Sequence, residues 1–269
     1  MTLSIAIAGV AGRMGRALVR AAGASGAFRV AGGSERPGSG ALGGDIGALA
    51  GCDPLGVTAV ADPVQAAREA DIWIDFTSPA ATLAALDALG KTKVRAAIIG
   101  TTGFTPAEEA KLAHAAQRIA IVRSGNFSLG VHALAGLVRQ AAQKLGAGWD
   151  IEIVETHHWR KRDAPSGTAL MLGEAAALGR GGTLEQMRLP PRDGVSDERP
   201  EGGIGFASLR AGGIVGEHEV VFATEREVVT LAHQALDRAV FADGALAAAK
   251  WAADKPPGLY AMKDVLDFQ

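Results

Sequence analysis

A run of fifteen residues, Glu155–Ala169, gathers polar side chains that are scarce elsewhere in the chain: its sequence is ETHHWRKRDAPSGTA. It contains two of the six histidines, His157 and His158, followed by charged residues from Arg160 to Asp163. An imidazole can give or take a proton near neutral pH. Arginine and lysine form strong charge-assisted hydrogen bonds to carboxylates. The run therefore indicates a receptor for a small, carboxylate-rich molecule with a proton donor beside it.

The second part of this run has the pattern of a helix start. Pro165 precedes Ser166, a residue type that caps helices by accepting a hydrogen bond from the backbone. Gly167 and Thr168 then fall in the first turn, where N–H groups meet the positive end of the helix dipole. We expect this helix start to bind an anionic group of the same small molecule.

Two other interpretations of the run were weighed against this one. A zinc site would use Glu155, His157, His158 and Asp163 as ligands. Adjacent residues of a strand point to opposite faces, however, and the chain has no H-E-x-x-H motif and no cysteine pair. We therefore predict no metal site, while a solvated basic loop stays open as an alternative. The remaining histidines, expected to be structural, are His114, His132, His218 and His233.

A glycine-rich segment, Gly9–Gly15, follows the strand-like LSIAIA and runs into a helix. Its G-x-x-G-x-x-G spacing is a variant of the dinucleotide fingerprint, in which glycines let the backbone approach a pyrophosphate closely. Support comes from Glu35, twenty residues after Gly15, where such folds place an acid on the ribose hydroxyls. Arg36 would pair with a 2′-phosphate or stack on adenine. We therefore expect tolerance of both NADH and NADPH.

Two later strand ends carry small residues and hydroxyls. Gly100–Gly103 follows one apolar run and Ser124–Phe127 follows the next. Ligands of parallel sheets bind beyond the carboxyl ends of the strands, so these segments are expected to lie against a nicotinamide ring. Ordinary strand-to-helix turns are the alternative for either segment taken singly.

The elements that must position these residues change character along the chain. From Leu3 to Asn126, apolar runs alternate with Ala-rich helical segments, whereas later strands follow one another without helices. We predict an α/β protein with an N-terminal Rossmann-type parallel sheet plus an α+β substrate domain with an open mixed sheet. The dinucleotide-binding domain is expected over residues 1–127 and 241–269, and the substrate-binding and oligomerisation domain over residues 128–240.

Two local features of the second domain are also predicted. Gly212-Gly213 is expected to form the turn of a hairpin between the strands GIGFASLRAG and IVGEHEVVFAT. Residues 181–203, rich in Gly, Pro, Arg and Asp, are expected to form a long mobile loop.

Composition limits the classes of function. A chain of 269 residues can bury a sizeable core, and a formal net charge of −2 gives no general attraction to nucleic acid or anionic membranes. The single cysteine, Cys52, excludes an internal disulfide and has no evident base beside it. No basic leader and no apolar run of about 20 residues are found. We therefore expect a cytoplasmic protein without nucleic-acid or membrane partners.

The run Glu155–Ala169 closely resembles the E-x-H-H-x-x-K-x-D-A-P-S-G-T-A signature of bacterial dihydrodipicolinate reductases, also called 4-hydroxy-tetrahydrodipicolinate reductases. Other matches extend over almost the whole chain: GVAGRMGR, IDFTSP, IGTTGF, NFSLGV, RAGGIVGEHEVVF and GLYAMKDVL. The central signature is long and specific, whereas the glycine-rich start is not. Ala11 is a departure, since the family often has glycine there, but it lies between the fingerprint glycines.

The resemblance implies reduction of 4-hydroxy-tetrahydrodipicolinate to tetrahydrodipicolinate with NADH or NADPH and loss of water, in the diaminopimelate route to lysine. It implies that His157 is the proton donor, that Lys161 is a second donor, and that His158, Gly167 and Thr168 bind the dicarboxylate substrate. It also implies a homotetramer built through the sheets of the second domain. The residues that it implies in cofactor binding are Gly9, Val10, Ala11, Gly12, Arg13, Met14, Glu35, Arg36, Gly100, Thr101, Thr102, Ser124, Gly125, Asn126 and Phe127.

Two other functions were considered. A non-catalytic dinucleotide sensor would bind cofactor without turnover, and the combination of a ribose-binding acid with an anion site argues against it. The other alternative is a different two-domain reductase of aspartate-derived metabolites. Semialdehyde dehydrogenases of that group need a cysteine nucleophile, for which Cys52 is poorly placed.

Overall fold

The computed structural model describes residues 2–195 and 198–267. Internal contacts divide the chain into two units: unit 1 comprises the residues up to Ser128 together with Ala239–Asp267, and unit 2 comprises Leu129–Arg238. Ser196 and Asp197, within the predicted loop 181–203, and the last two residues of the predicted first domain lie outside the described residues. Unit 2 is thus inserted between two parts of unit 1.

The strands belong to two sheets. In chain order they are β1 (Leu3–Ala8), β2 (Phe28–Ser34), β3 (Ala59–Val60), β4 (Ile72–Asp75), β5 (Ala96–Ile99), β6 (Ala120–Arg123), β7 (Asp150–His157), β8 (Ile204–Arg210), β9 (Gly216–Ala223), β10 (Val228–Ala235) and β11 (Gly258–Tyr260).

Helices precede or follow most of these strands. In chain order they are α1 (Arg13–Ser25), α2 (Ile46–Ala50), α3 (Pro63–Ala67), α4 (Pro79–Leu89), α5 (Pro106–Ala115), α6 (Leu129–Leu145), α7 (Gly167–Gly179), α8 (Leu184–Met187), α9 (Ala239–Ala252) and α10 (Met262–Val265). Proline, which suits the first turn because it needs no N–H partner there, opens α3, α4 and α5. In the described part of the chain no helix combines the length and the apolar character needed to cross a bilayer.

The sheet of unit 1 has seven parallel strands in the order β11-β6-β5-β4-β1-β2-β3. Its central strands are apolar on both faces, and Ile5, Ile72 and Ile98 are fully buried. Strands that are covered by helices on both faces bury such side chains throughout, which stabilises them by about 1.5–3 kcal/mol each. The predicted Rossmann-type sheet is confirmed. The edge strand β11 and the short helix α2 were not predicted.

Unit 2 contains a mixed four-stranded sheet in the order β10-β9-β7-β8. Along β7 the residues alternate between buried and half-buried, with Ile151, Ile153 and His157 on the buried face. Helices α6 and α7 cover that face and share its core with Phe222 of β9. The opposite face of the sheet leaves Leu209 and Val228 exposed. The predicted α+β domain with an open mixed sheet is confirmed.

Two local predictions in unit 2 are wrong. Strands β8 and β9 do not form a hairpin, because β7 lies between them and β8 pairs with β7 in parallel. The turn at Gly212 follows the end of β8 and bonds to the segment after β7, where Trp159 N donates to Gly212 O over 3.3 Å. The segment 181–203 is not one loop, since it contains α8, and Arg199 bonds to Asp150 and Glu152 of β7.

Candidate active site

In the glycine-rich turn between β1 and α1, backbone packs against backbone so closely that side chains have no room. Gly9 adopts a φ of 60°, and a Cβ added at Gly15 would lie 2.3 Å from the Gly9 carbonyl oxygen. Gly12 donates its N–H to Gly9 O over 2.9 Å and provides the N-cap of α1 without any side chain. The turn therefore exposes backbone beside the positive end of a helix, the arrangement that binds phosphate groups.

Glu35 is held next to this turn. Because β2 pairs with β1, Glu35 follows the carboxyl end of the neighbouring strand, and Ala11 N donates to its Oε1 over 2.8 Å. Arg36, the next residue, is exposed. A carboxylate fixed beside the glycine turn fits the ribose hydroxyls of a dinucleotide, and an exposed guanidinium next to it fits a 2′-phosphate.

The ends of β4 and β5 are joined by a buried carboxylate. Asp75 is fully buried, and accepts hydrogen bonds from Thr77 N over 2.9 Å, from Thr77 Oγ1 over 2.6 Å and from Thr101 Oγ1 over 3.4 Å. Burial raises the pKa of Asp75. A Cβ at Gly100 would lie 2.0 Å from the Phe76 ring, so only glycine fits there. Thr102, by contrast, is exposed.

The end of β6 forms a turn fixed by its own side chains. Asn126 N donates to Ser124 Oγ over 3.2 Å, and Ser128 N donates to Asn126 Oδ1 over 2.8 Å. Phe127 is buried and meets Phe76 edge-on, with ring centroids 5.3 Å apart, while Gly125 stays exposed. All the residues predicted for the cofactor thus follow the carboxyl ends of parallel strands, at one edge of the unit 1 sheet. These residues fit a nicotinamide dinucleotide.

In unit 2 a buried carboxylate holds the predicted proton donor. Glu155 and His157 are two residues apart on β7 and so lie on the same face, with Glu155 Oε2 2.6 Å from His157 Nδ1. Arg210, at the end of β8, donates two hydrogen bonds to Glu155, over 2.9 and 2.7 Å. Ser166 N donates to Glu155 Oε1 over 3.1 Å. The His157 ring is therefore fixed by a carboxylate that is itself fixed on two sides.

The charges of this group follow from its burial and its hydrogen bonds. Burial raises the pKa of Glu155, but hydrogen bonds from Arg210, Ser208 and His157 outweigh burial and lower it to about 2. Burial lowers the pKa of His157, and the adjacent Glu155 carboxylate opposes that shift. Glu155 is therefore ionised at neutral pH, and the imidazole remains able to gain and release a proton.

A second buried imidazole, His218 of β9, belongs to the same group. Its ring meets the His157 ring edge-on at 5.1 Å, and its Nε2 lies 3.1 Å from Ser166 Oγ. Burial and the charge of His157 lower the pKa of His218 to about 4. We expected a structural role for His218, whereas the structure brings it into contact with the predicted proton donor.

The predicted substrate-binding residues lie on the segment between β7 and α7. Ser166 is the N-cap of α7, since its Oγ accepts from Ala169 N over 3.1 Å, as predicted. Gly167 and Thr168 follow as the first turn of that helix. His158 is half-buried, and its Nδ1 has no hydrogen-bond partner among residues 2–195 and 198–267.

Lys161, the predicted second donor, forms an ion pair. Its Nζ lies 2.8 Å from Asp163 Oδ2, and the hydrogen bond from Lys161 lowers the pKa of Asp163. The Arg210 guanidinium also donates to the Asp163 carbonyl oxygen over 2.7 Å. The segment is therefore attached to the Glu155 group. This attachment argues against the solvated-loop alternative for Lys161, although Arg160 and Arg162 are exposed.

Four polar residues of these sites were missed or misjudged at the level of sequence. From sequence, Glu155 is a candidate only as a metal ligand, and Asp75, Arg210 and His218 have no expected role in binding or catalysis. The spacing of Glu155 and His157, at the end of a predicted strand that leads into His157, is a usable signal, because residues two apart in a strand share a face. The partnership of Glu155 with Arg210 joins residues 55 apart in sequence and leaves no local pattern.

The chain combines a parallel sheet that has a glycine-rich first turn with a mixed sheet that carries a carboxylate-bound imidazole. This combination defines a two-domain nicotinamide-dependent oxidoreductase. Two family models match the chain: "Dihydrodipicolinate reductase, N-terminus" over residues 3–127 and "Dihydrodipicolinate reductase, C-terminus" over residues 130–266. The chain belongs to the dihydrodipicolinate reductase family.

Two relatives and two solved structures illustrate the similarity. The 4-hydroxy-tetrahydrodipicolinate reductase of Parvibaculum lavamentivorans is 52% identical over 268 residues, covering 99% of this chain and 98% of the relative. That of Dinoroseobacter shibae is 52% identical over 262 residues, covering 97% of each. A dipicolinate-bound dihydrodipicolinate reductase from Paenisporosarcina sp. TG-14 has a TM-score of 0.74 at 23% identity, covering 97% of this chain and 98% of that one. An amine dehydrogenase from Mycobacterium smegmatis has a TM-score of 0.66 at 13% identity, covering 97% and 95%.

The reaction is the reduction of 4-hydroxy-tetrahydrodipicolinate in the diaminopimelate route to lysine, with NADH or NADPH as the reductant. The predicted enzymatic activity and its cofactors are thereby confirmed, rather than the alternatives of a sensor or a different reductase. The likeness to the two solved structures, both under 25% identical, supports the fold alone.

Proposed function

We propose that His157 supplies the proton that completes this reduction. The 4-hydroxyl of the substrate is first lost as water, which leaves an electron-poor conjugated imine in the ring. The nicotinamide of a bound cofactor would supply a hydride to that ring, and an enamine-like anion would remain there. The His157 imidazolium would protonate that anion, a contribution of about 10²–10⁴ in rate for a well-placed general acid. Lys161 would act as a second donor, with Asp163 holding its ammonium group in place. The single observation that carries this role is the buried hydrogen bond between Glu155 and His157.

The substrate is a dicarboxylate, and we propose that the start of α7 binds one of its carboxylates. Gly167 and Thr168 form the first turn, where the helix dipole favours an anion. The buried Nδ1 of His158, which lacks a partner within the described residues, would gain one from the substrate. Together these groups would fix the ring close to His157.

The cofactor would bind along the carboxyl edge of the unit 1 sheet. Gly9 to Met14 would receive the pyrophosphate, and Glu35 and Arg36 the adenosine ribose with or without its 2′-phosphate. Gly100 to Thr102 and Ser124 to Phe127 would line the nicotinamide. We accordingly assign cofactor binding to residues 1–127 and 241–269, and substrate binding to residues 128–240. The location of the enzyme would be the cytoplasm.

We also propose that the enzyme is a homotetramer assembled through the outer face of the unit 2 sheet. Support comes from the exposed side chains on that face, Leu209 at 49% and Val228 at 61%, which no helix of unit 2 covers in the described part of the chain. Sedimentation equilibrium should give four times the chain mass of 27.4 kDa. Val228→Lys should lower the mass, and Leu178→Lys on α7 should not. A monomeric native enzyme would contradict the assembly.

A coupled spectrophotometric assay tests the whole proposal. Pyruvate and aspartate semialdehyde are mixed with the synthase that condenses them, and consumption of reduced nicotinamide is followed after this chain is added. We expect rapid consumption with the native chain and very slow consumption with His157→Gln. Reactions without the synthase control for unspecific oxidation. No consumption by the native chain would refute the activity, and fast consumption by the variant would refute the role of His157.

A further inference from the structure

We propose that Glu155 and Gly216 are positioning residues that make Nε2 the ring nitrogen from which His157 releases its proton. The inference rests on the proposed role of His157 as proton donor, and it adds which nitrogen reacts and what fixes that choice. Both residues lie in unit 2, on strands β7 and β9, and neither is proposed to touch the substrate.

Nδ1 of His157 is bonded to a carboxylate that stays ionised. Glu155 Oε2 lies 2.6 Å from it, and Glu155 keeps its negative charge through two hydrogen bonds from Arg210 and one from Ser166 N. An ionised carboxylate can only accept hydrogen bonds. Nδ1 must therefore carry a hydrogen whether the ring is neutral or charged. The proton that comes and goes is left to Nε2.

The space around Nε2 of His157 is bordered by a glycine. Gly216 is the first residue of β9, and a Cβ added there would lie 3.0 Å from His157 Nε2 and 3.4 Å from His157 Cδ2. The missing side chain keeps this edge of the ring open. Among the residues that the structure describes, none hydrogen-bonds to Nε2. A carboxylate is thus bonded to Nδ1 of the ring, whereas Nε2 is left accessible.

The proton transfer is simple to balance. The Nε2–H bond of the imidazolium breaks, its electron pair stays on Nε2, and a C–H bond forms with the electron pair of the enamine-like anion. The ring is left neutral with its hydrogen on Nδ1, still donated to Glu155. Other charged or titratable groups facing the ring are Lys161 on the following segment, Arg210 on β8 and His218 on β9.

Nitrogen-15 NMR of histidine-labelled native enzyme tests the tautomer directly. The His157 signals are assigned by their loss in His157→Gln, and two-bond ¹⁵N–¹H correlations show which nitrogen carries hydrogen in the neutral ring. We expect a protonated Nδ1 and a bare Nε2. A neutral ring with hydrogen on Nε2 would overturn the inference.

Gly216→Ala tests the open edge kinetically. Crowding of Nε2 should lower kcat by about tenfold or more, a part of the contribution of a general acid, and should leave the Kd of NADH unchanged. Gly148→Ala is the matched control, because a Cβ at Gly148, just before β7, would meet no heavy atom within 4 Å. An unchanged kcat in Gly216→Ala would overturn the inference.

Glu155→Gln tests the carboxylate through the pH profile. Since Glu155 raises the pKa of His157, its loss should move the alkaline decline of kcat to lower pH. Glu152→Gln is the matched control. The Glu152 carboxylate lies on the opposite face of β7 and also pairs with arginine, and its loss should leave the pH profile of kcat unchanged. A lower kcat with an unmoved profile would mean that Glu155 is only structural. If His157→Gln keeps full turnover, the proposed role of His157 is wrong. If His157→Gln is slow but the tests of the tautomer, of Gly216 and of Glu155 fail, the proposed role stands and only this further inference is wrong.

Discussion

Arg210 lies directly opposite His157 in the parallel pairing of β8 with β7, and both side chains bond to Glu155. The guanidinium and the imidazole share one carboxylate, and the two hydrogen bonds from the guanidinium keep that carboxylate ionised. An ionised Glu155 then orients His157 and favours its protonated form. One carboxylate, bonded to both a guanidinium and an imidazole, thus prepares one proton donor.

Replacement of His157 by Gln should lower kcat by about 10²–10⁴, because the amide cannot donate a proton to the reduced ring. The Kd of NADH should be unchanged, since the residues proposed for the cofactor belong to unit 1. Steady-state kinetics together with a fluorescence titration of NADH measure both quantities. A variant that loses NADH affinity and turnover to the same extent would point to a general defect in folding.

Arg36→Ala should raise the Kd of NADPH by about 10- to 100-fold and that of NADH much less, since a charge-assisted hydrogen bond to the 2′-phosphate is worth about 1.5–3 kcal/mol. Arg36 is exposed, so its loss should not disturb the core. Parallel titrations of one preparation with the two cofactors provide the internal control. Equal losses for both cofactors would show that Arg36 makes no contact with the 2′-phosphate.

Gly15→Ala should destabilise unit 1 and prevent cofactor binding. The new Cβ would lie 2.3 Å from Gly9 O and 2.6 Å from Val10 Cα, both backbone atoms, so the turn itself must move. Gly23→Ala on the same helix meets no heavy atom within 4 Å and should stabilise the enzyme by about 0.5–1 kcal/mol. Thermal unfolding and NADH titration distinguish the two. Normal NADH affinity in Gly15→Ala would contradict the proposed pyrophosphate site.

The enzyme should lose stability as the pH falls from 6.5 toward 4. Burial lowers the pKa of His218 from its ordinary 6.5 to about 4 in the fold, so the unfolded chain binds the extra proton in this range. One proton corresponds to about 1.4 kcal/mol per pH unit. His218→Asn should flatten the free energy of unfolding in urea over this range, whereas replacement of the exposed His114 should not. Equal slopes for the native enzyme and His218→Asn would refute the assignment.

The sequence was most informative where local pattern and fold coincide. Most of unit 1 could be predicted because its central strands are short apolar runs, and several of the following helices have their own start signal, such as the Thr105–Glu108 capping box. The β8–β9 connection could not, because a Gly-Gly turn specifies a change of direction and not which strand the chain then joins. Insertion of β7 between β8 and β9 depends on pairings across the whole unit.

The residues of the candidate site likewise fall into those that the sequence could indicate and those that it could not. His157, Lys161 and the cap at Ser166 lie within one short run, so their types and spacing could be interpreted together. Arg210 and His218 reach the same place from 55 and 52 residues away from their partners Glu155 and Ser166. Only the pairing of β8 and β9 with β7 brings them there. No spacing rule along the chain indicates such contacts.

The insertion of unit 2 into unit 1 sets the order in which the protein can fold during synthesis. Unit 2 is one continuous stretch, Leu129–Arg238, and all of it is synthesised before α9 and β11. Helix α9 packs on α1 and on β4, β5 and β6, and β11 adds the seventh strand beside β6. While unit 2 is translated, the nascent N-terminal sheet therefore keeps an uncovered apolar face and an unpaired edge. Domains generally fold as units from the N-terminus onward, but here the later unit can be finished first.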